Sequence, residues 1–319
     1  MRNITFLLAI IFLGLQQFAV AQQISVDNTL SAEELIQNNL VQGCVEVSNI
    51  SSNINGSVNG LNSFGYFEQA DSNFPFENGI LLTTGEALSA GNITNGNTLN
   101  EGETSWGTDF DLETALGITN TLNATSIEFD FISISNQIQF NYLLASEEYY
   151  GNFPCEYSDG FAFLIKQAGS TDPYTNIALV PGTTTPVNTS TIHPEVVGFC
   201  GAENEAYFDG YNFGDTNYNG RTTVLTAIAN ITPNTLYHIK LIIADQTDEN
   251  YDSAVFIEGN SFNSVVDLGE DVTTCSEFVT INGDIQNPDA TYNWYLDNNL
   301  IPDENGTELV VTESGTYSV

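Results

Sequence analysis

An all-β fold is predicted for this 319-residue chain: an antiparallel β-sandwich or jelly-roll-like domain with one N-terminal helix, followed by a smaller β module. Three observations carry that prediction. From Val45 onward apolar residues recur at a spacing of two, the strand period, not at the helical 3.6. The alternating segments are separated by connectors dense in Gly, Asn, Asp, Ser and Thr, which suit turns between antiparallel strands. Finally, 41% of residues are hydrophobic and 11% aromatic, including 20 Phe and 14 Tyr, which is enough to bury a core and too apolar for a disordered chain.

The first 21 residues stand apart. Arg2 precedes an apolar run that closes on Ala19-Val20-Ala21, the pattern of a secretory signal peptide over 1–21. A membrane anchor is the competing reading, but the strongly apolar stretch falls short of the ~20 residues a span requires. No Cys follows the cleavage point, which argues against lipid attachment there. Just beyond, Ser31-Ala-Glu-Glu34 reads as a capping box, with Leu30 and Leu35 spaced as a hydrophobic staple. The helix it starts is expected to end near Val41, before Gly43.

The strands then follow in order. Ile127, Phe129 and Phe131 alternate with Glu128 and Asp130, and Ile138, Phe140, Tyr142 and Leu144 alternate with Gln139, Asn141 and Leu143. Further strands are read at 161–165, 223–228, 237–243 and 253–257. Near residue 265 the texture changes, giving a domain over 22–264 and a second module over 265–319. Short strands are read there around Val265–Val272, Phe278–Ile281, Ala290–Tyr295, Glu308–Val311 and Gly315–Val319. With Trp294 in a middle strand and Gly315-Thr-Tyr-Ser-Val319 at the close, this module resembles a partial immunoglobulin-like or polycystic-kidney-disease-like sandwich. It stops in mid-strand, so further C-terminal domains of the same chain are expected.

Charge narrows the function. Asp and Glu number 41 against 4 Lys and Arg, a formal net charge of −37. Loss of Arg2 with the leader leaves 3 bases against 41 acids, or −38. Nucleic acid and anionic membrane surfaces are excluded as partners, since both require basic side chains to neutralise phosphate. Cys44, Cys155, Cys200 and Cys275 lack the CxxC spacing of a zinc site and, in an oxidising compartment, are expected to pair. Cys155 and Cys200 flank the acidic central loops and are paired in this reading. Cys44 has no obvious partner, and Cys275 is expected to find one past Val319.

Seven motifs then coincide in order. They are Gly79-Ile-Leu-Leu-Thr-Thr-Gly85, Gly107-Thr-Asp-Phe-Asp-Leu112, Phe140-Asn-Tyr-Leu-Leu-Ala-Ser-Glu-Glu-Tyr149 and Ser158-Asp-Gly-Phe-Ala-Phe163. Asn176-Ile-Ala-Leu-Val-Pro-Gly182, Tyr237-His-Ile-Lys-Leu-Ile-Ile-Ala-Asp245 and Tyr251-Asp-Ser-Ala-Val-Phe256 complete the set. Together they resemble the choice-of-anchor L domain over about residues 28–264. The resemblance implies a secreted, surface-attached bacterial protein whose attachment signal lies downstream. Members with this acidic, Asn-rich character and an immunoglobulin-like neighbour are similar to those of Bacteroidetes, which implies a type IX secretion or gliding-motility sorting domain.

Four loops gather carboxylates: Asp109 with Asp111; Glu147 and Glu148 with Asp159; Asp209 with Asp215; and Asp245, Asp248 and Asp252. With so few bases, salt bridges neutralise few of them, and oxygen ligands in irregular loops are what Ca²⁺ takes. The expected metal ligands are Glu147, Glu148, Asp159, Asp245, Asp248 and Asp252; the competing reading is plain solvation of an acidic surface. Ser158-Asp-Gly-Phe-Ala-Phe163 also resembles a sugar-holding strand start of legume-type lectins, although a tight turn at Asp159-Gly160 explains the same residues.

Enzymatic patterns are weaker. Glu147 and Glu148 are adjacent, and adjacent residues on a strand face opposite ways, so they do not converge as a glycosidase pair. Only His193 and His238 could serve a Ser-His-Asp triad, and His238 shares the outward strand face with Lys240. Neither a P-loop nor an H-E-x-x-H motif occurs. Tyr149, Tyr150, Phe153, Tyr207, Tyr211 and Tyr218 crowd the same loops as a ligand platform or as loop packing. The expected function is a non-enzymatic, Ca²⁺-stabilised surface module for adhesion or carbohydrate binding, with an extracellular glycan or surface protein as partner. The alternatives are a secreted polysaccharide hydrolase and a structural stalk.

Overall fold

A computed structural model describes residues 22–43, 45–102, 105–285 and 290–319. The signal-peptide reading and Cys44 therefore lie outside the described residues. In chain order the strands of the larger unit are β1 (Ser25–Asp27), β2 (Val45–Ser51), β3 (Phe64–Glu68), β4 (Asn78–Thr83), β5 (Thr121–Ser133), β6 (Gln137–Ser146) and β7 (Gly160–Gln167). They continue as β8 (Thr175–Asn176), β9 (Phe208–Tyr211), β10 (Gly220–Thr222), β11 (Leu225–Asn230), β12 (Leu236–Gln246), β13 (Ser253–Glu258) and β14 (Asn263–Val265). All pair antiparallel. A nine-stranded sheet runs β1-β3-β4-β13-β6-β10-β9, with β11 and β14 also on β6; a five-stranded sheet runs β2-β5-β12-β7-β8.

The period-two residues fill the space between the sheets. Ile127, Phe129 and Phe131 of β5 and Ile239, Leu241 and Ile243 of β12 meet Ile138, Phe140, Tyr142 and Leu144 of β6 in one buried cluster. Phe262 sits at its centre, with ring centroids 5.3–5.4 Å from those of Phe129, Phe131 and Phe140. Each such ring contributes about 1.5–3 kcal/mol by leaving water. The outer faces are covered as well. Leu143, Ala145 and Phe256 pack with Phe67 and Phe74 outside the nine-stranded sheet. Ala162, Leu164 and Ile242 pack with Leu112 outside the five-stranded one. That is why Leu143 breaks the polar alternation of β6: both faces of that strand are buried.

Leu112 belongs to a helix, Phe110–Leu116, that the strand-dominated reading did not foresee. Asp109 caps it by accepting from Leu112 N–H at 2.9 Å, and Gly117 ends it at φ +68. At the N-terminus the capping box is present: the Ser31 hydroxyl accepts from Glu34 N–H, and the Glu34 carboxylate accepts from Ser31 N–H. After the α-helical turn Ala32–Glu34 the chain widens into a π-helix, Leu35–Leu40, and Val41 turns extended. Leu35, Ile36 and Leu40 are all buried, so packing of this face against the core overrides the regular helical spacing.

Two boundaries differ from expectation. The strand read at 223–228 begins two residues late, as β11 at Leu225, with Thr223 and Val224 linking it to β10. Val265, read as the start of the second module, pairs with Gln137 in β14 and finishes the first domain's sheet. Residues 266–319 carry β15 (Val279–Asn282), β16 (Tyr295–Leu296), β17 (Asn299–Leu300), β18 (Glu308–Val311) and β19 (Tyr317–Ser318) in two small sheets, β15-β18 and β17-β16-β19. Trp294 is fully buried there and donates from Nε1 to Gly306 O at 2.8 Å. Cys275 is a free, exposed thiol.

Candidate functional site

Strand register assembles the site. Ser146 of β6 pairs with Ser253 of β13, so the next residues, Glu147 and Asp252, face each other, and Glu147 N–H donates to Asp252 O at 3.0 Å. In the other sheet Gly160 of β7 pairs with Ala244 of β12, which sets Asp159 beside Asp245. Both sheets thus deliver carboxylates to the same end of the sandwich. Two acidic loops that are 86 residues apart at Asp159 and Asp245 become one cluster.

The site's buried groups are held individually. The Glu148 carboxylate accepts from Asp159 N–H at 2.8 Å and from the Thr189 hydroxyl at 3.2 Å. Asp159 Oδ1 accepts from Gln246 N–H at 3.3 Å, and its Oδ2 accepts from the Ser253 hydroxyl at 2.5 Å. Asp245 Oδ2 accepts from the Asn123 amide at 2.8 Å, whereas Oδ1 is buried with no hydrogen-bond partner among the described residues. Asp252 takes Glu101 N–H on both oxygens, at 3.1 and 3.2 Å. Glu101 escaped sequence reasoning. Its carboxylate and that of Asp252 close over Gly85, where a Cβ would lie 2.7 and 2.1 Å from Glu101 Oε2 and Asp252 Oδ2.

Burial drives the electrostatics. Glu147, Glu148, Asp159, Asp245 and Asp252 are all at most 5% exposed, while Asp248 is half-buried on the loop above them. Burial pushes Glu148 up to about 7, assisted by the charge of Asp248. It likewise lifts Glu147 to about 7, with Glu101 adding to the effect. Burial raises Asp159 well above the ordinary carboxylate range, and the charges of Glu148 and Asp245 raise it further. Asp245 is raised by burial and by Glu148 and Asp248; Asp252 by burial, by its hydrogen-bonded neighbour Glu101 and by the charge of Asp245.

The described bases are all engaged elsewhere. Lys240, buried and not on an open face, donates to Asp109 at 3.0 Å and Asp111 at 2.6 Å. Arg221 holds Asp215 and Asp209, each at 2.8 Å, and lies over the Phe213 ring. Lys166 stands 4.1 Å from the Tyr174 ring centroid. His238 pairs with Asp130 at 2.7 Å and Glu128 at 3.4 Å, and His193 bonds Pro194 O. Two of the four acidic loops read from sequence therefore each share one base between two acids, and the other two are the ones that merge. Of the six expected ligands, Asp159, Asp245 and Asp248 face Glu148, Asp252 faces both Asp245 and Glu101, and Glu147 faces Glu101. Among the described residues no three Asp, Glu, His or Cys side chains stand at the spacing of a preformed metal cage.

Above the acids lies an aromatic patch. Phe153 contacts Tyr150, Tyr157 and Tyr251 at ring-centroid distances of 5.9, 5.7 and 4.8 Å. Tyr150 is 60% and Tyr157 42% exposed. Cys155 and Cys200 are joined by a disulfide, with Cα atoms 5.8 Å apart, tying this loop to the one that exposes Val197 and Phe199. Tyr149 and Tyr218, expected in the same platform, are instead buried. Gly160 opens β7 and is not a turn residue; a Cβ there would lie 2.9 Å from Ile118 Cδ1, so a larger residue would have to displace that side-chain end.

The model of the choice-of-anchor L domain matches residues 23–263, which includes every strand contributing to this site. The chain belongs to the choice-of-anchor L domain family. Choice-of-anchor L domains are surface-associated modules, and the family is not known for enzymatic activity. No curated protein and no solved structure matches the chain. No described helix of this choice-of-anchor L protein is long and apolar enough to cross a membrane.

Proposed function

We propose that this protein is an adhesion module of the cell surface that binds extracellular glycan through the Tyr150–Tyr157 loop, with calcium stabilising the acidic loops beneath. The observation that carries the reading is the ring-to-ring patch of Tyr150, Phe153, Tyr157 and Tyr251, exposed in part and braced by the Cys155–Cys200 disulfide. Exposed aromatic groups on a stapled loop offer flat apolar faces to the C–H faces of sugar rings, while their hydroxyls reach polar groups. In this reading residues 1–21 are a secretory leader. Residues 266–319 begin an immunoglobulin-like spacer toward a C-terminal sorting domain.

A glycan array probed with the wild-type chain and with Tyr150→Ala and Tyr157→Ala tests it. Binding that falls at least about tenfold in both variants supports the aromatic face. Wild-type protein that binds no glycan overturns carbohydrate recognition and favours a stalk.

One observation favours a hydrolase as the second reading. Glu147, raised to about 7, lines a polar cavity of about 310 Å³ with Asn97, Asn217 and Asn219. Paired-carboxylate hydrolysis needs a second acid across that cavity, and Glu147 is the one carboxylate in its lining. A second cavity of about 820 Å³, between β7 and β11, carries Asp172 as its one acid and lies away from the buried cluster.

A further inference from the structure

We propose that the polar cavity lined by Gln23, Asn97, Glu147, Asn212 and Asn219 is a second ligand site, separate from the aromatic face, and that it holds one neutral sugar ring. The inference goes beyond the adhesion reading, since it needs neither Tyr150 nor Tyr157.

Packing builds a fixed frame around the cavity. Asn217 Oδ1 accepts from Asn95 N–H at 2.9 Å and from the Gln23 amide, and Asn217 Nδ2 donates to Ser89 O at 2.8 Å and Ile93 O at 3.0 Å. Asn217 N–H donates to Ala90 O at 3.0 Å, so this one residue ties the β9–β10 connection to Gln23 and to the 89–95 segment. Asn219 Nδ2 donates to Glu147 O at 3.0 Å, and Asn219 O accepts from Asn212 N–H at 2.9 Å, which joins the same connection to the end of β6. The enclosed volume of about 310 Å³ lies at the small end of the range for ligand pockets and suits a single ring.

Unspent hydrogen-bonding capacity points to the ligand. The Asn217 amide has one orientation, with its nitrogen toward two carbonyl oxygens and its oxygen toward Asn95 N–H. Gln23 must therefore turn its amide nitrogen to Asn217 Oδ1, and Gln23 Oε1 is left buried with no donor among the described residues. A buried acceptor without a partner is costly, and such groups mark a missing one. Glu147 spends Oε1 on Leu99 N–H at 3.0 Å, and its Oε2 has no partner among the described residues. The side chains of Asn97, Asn212, Thr98 and Thr216 likewise make no hydrogen bond to any described residue.

Those groups define the ligand's chemistry. Amides, hydroxyls and a carboxylate oxygen side by side suit a molecule whose groups both donate and accept, as sugar hydroxyls do. No Lys, Arg or His lines the cavity, so a phosphate, sulfate or uronate finds no countercharge there. One carboxylate among amides offers a divalent ion too few charged ligands. Glu147, Thr216 and Tyr218 form a buried floor, while Asn97, Thr98 and Asn212 are exposed and leave the mouth open. With no second acid across from Glu147, the site retains a sugar and does not cleave it.

Saturation-transfer NMR on the full chain tests the site, with glucose, galactose, mannose and N-acetylglucosamine offered singly, and with glucuronate and glucosamine as charged comparisons. At least one neutral sugar is expected to take up saturation, and the charged ones are expected to take up none. Asn97→Ala, on the exposed rim, is expected to weaken the binding about two- to tenfold. Glu147→Gln keeps an acceptor for Leu99 N–H and is expected to weaken it at least as much. Asp172→Ala, at the larger cavity between β7 and β11, is expected to bind as the wild type does. A wild type that takes up no neutral sugar overturns the site, as does undiminished binding by both Asn97→Ala and Glu147→Gln, or lost binding in Asp172→Ala. Saturation confined to glucosamine or glucuronate overturns the neutral class. The array with Tyr150→Ala and Tyr157→Ala judges the aromatic face by itself, so either site can fail while the other stands.

Discussion

The Ser253 hydroxyl lies 2.5 Å from Asp159 Oδ2, and with that bond the nine-stranded sheet reaches across to the five-stranded one at the acidic end of the sandwich. Ser253 is also hydrogen-bonded to the Ser146 hydroxyl at 2.8 Å, so one side chain ties β6, β13 and the entry to β7 together. Ser253→Ala removes a donor from a buried acid. The expected cost is about 1.5–3 kcal/mol, read from denaturant unfolding with an unchanged m-value. A change below about 0.5 kcal/mol would show that the bond contributes nothing net.

Stability should depend on pH in a sense set by the raised acids. Glu147 and Glu148 are held near 7, above their ordinary 4.5, so between these values the folded state keeps protons that the unfolded state releases. Their contribution is fully present below about pH 4.5 and is lost as pH rises through about 7. Asp159, Asp245 and Asp248 face Glu148, and Glu101 faces Glu147; Asp159 and Asp245 shift in the same direction. In chelator, the melting temperature is expected to rise as pH falls from 8 toward 5. Saturating calcium should flatten that slope, because a bound cation holds the carboxylates ionised. A chelated protein most stable at pH 8 would contradict the buried-acid description.

Tyr142 carries a hydroxyl buried in the central core with no hydrogen-bond partner among the described residues, while its ring packs 4.9 Å from that of Phe163. Tyr142→Phe keeps the ring and removes the unsatisfied group. A stabilisation of about 1 kcal/mol is expected, visible as a higher melting temperature. Destabilisation would reveal a partner for the hydroxyl.

The Cys155–Cys200 bond closes a loop with a sequence separation of 45. Its removal in the Cys155→Ser, Cys200→Ser double variant is expected to cost about 3–4 kcal/mol through the freer unfolded chain. Glycan binding should weaken more than stability alone accounts for, as Tyr150 and Tyr157 sit on the released loop. Measuring affinity at a temperature where both proteins are fully folded separates the two effects.

Some elements were legible because their signals are local. The alternation of Ile127, Phe129 and Phe131 gave β5, and Ser31 with Glu34 gave the helix start. The Phe110–Leu116 helix had a readable signal as well, an Asp109 cap and a Gly117 terminator, but its single turn-rich context resembled the surrounding loops. Glu101 was missed for a different reason: nothing near it in sequence announces that it meets Asp252.

Sequence alone determined the fold class, the family motifs and the scarcity of bases, since each is a matter of composition or short-range spacing. Tertiary structure decided how that scarcity is distributed. Lys240 and Arg221 lie on β12 and β10, and strand pairing and loop packing carry them to Asp109 and Asp215; the registers Ser146–Ser253 and Gly160–Ala244 collect the remaining acids at one end. Whether an acid is solvated, paired or buried without a partner depends on burial and long-range contact, and neither is written in the spacing of residues along the chain.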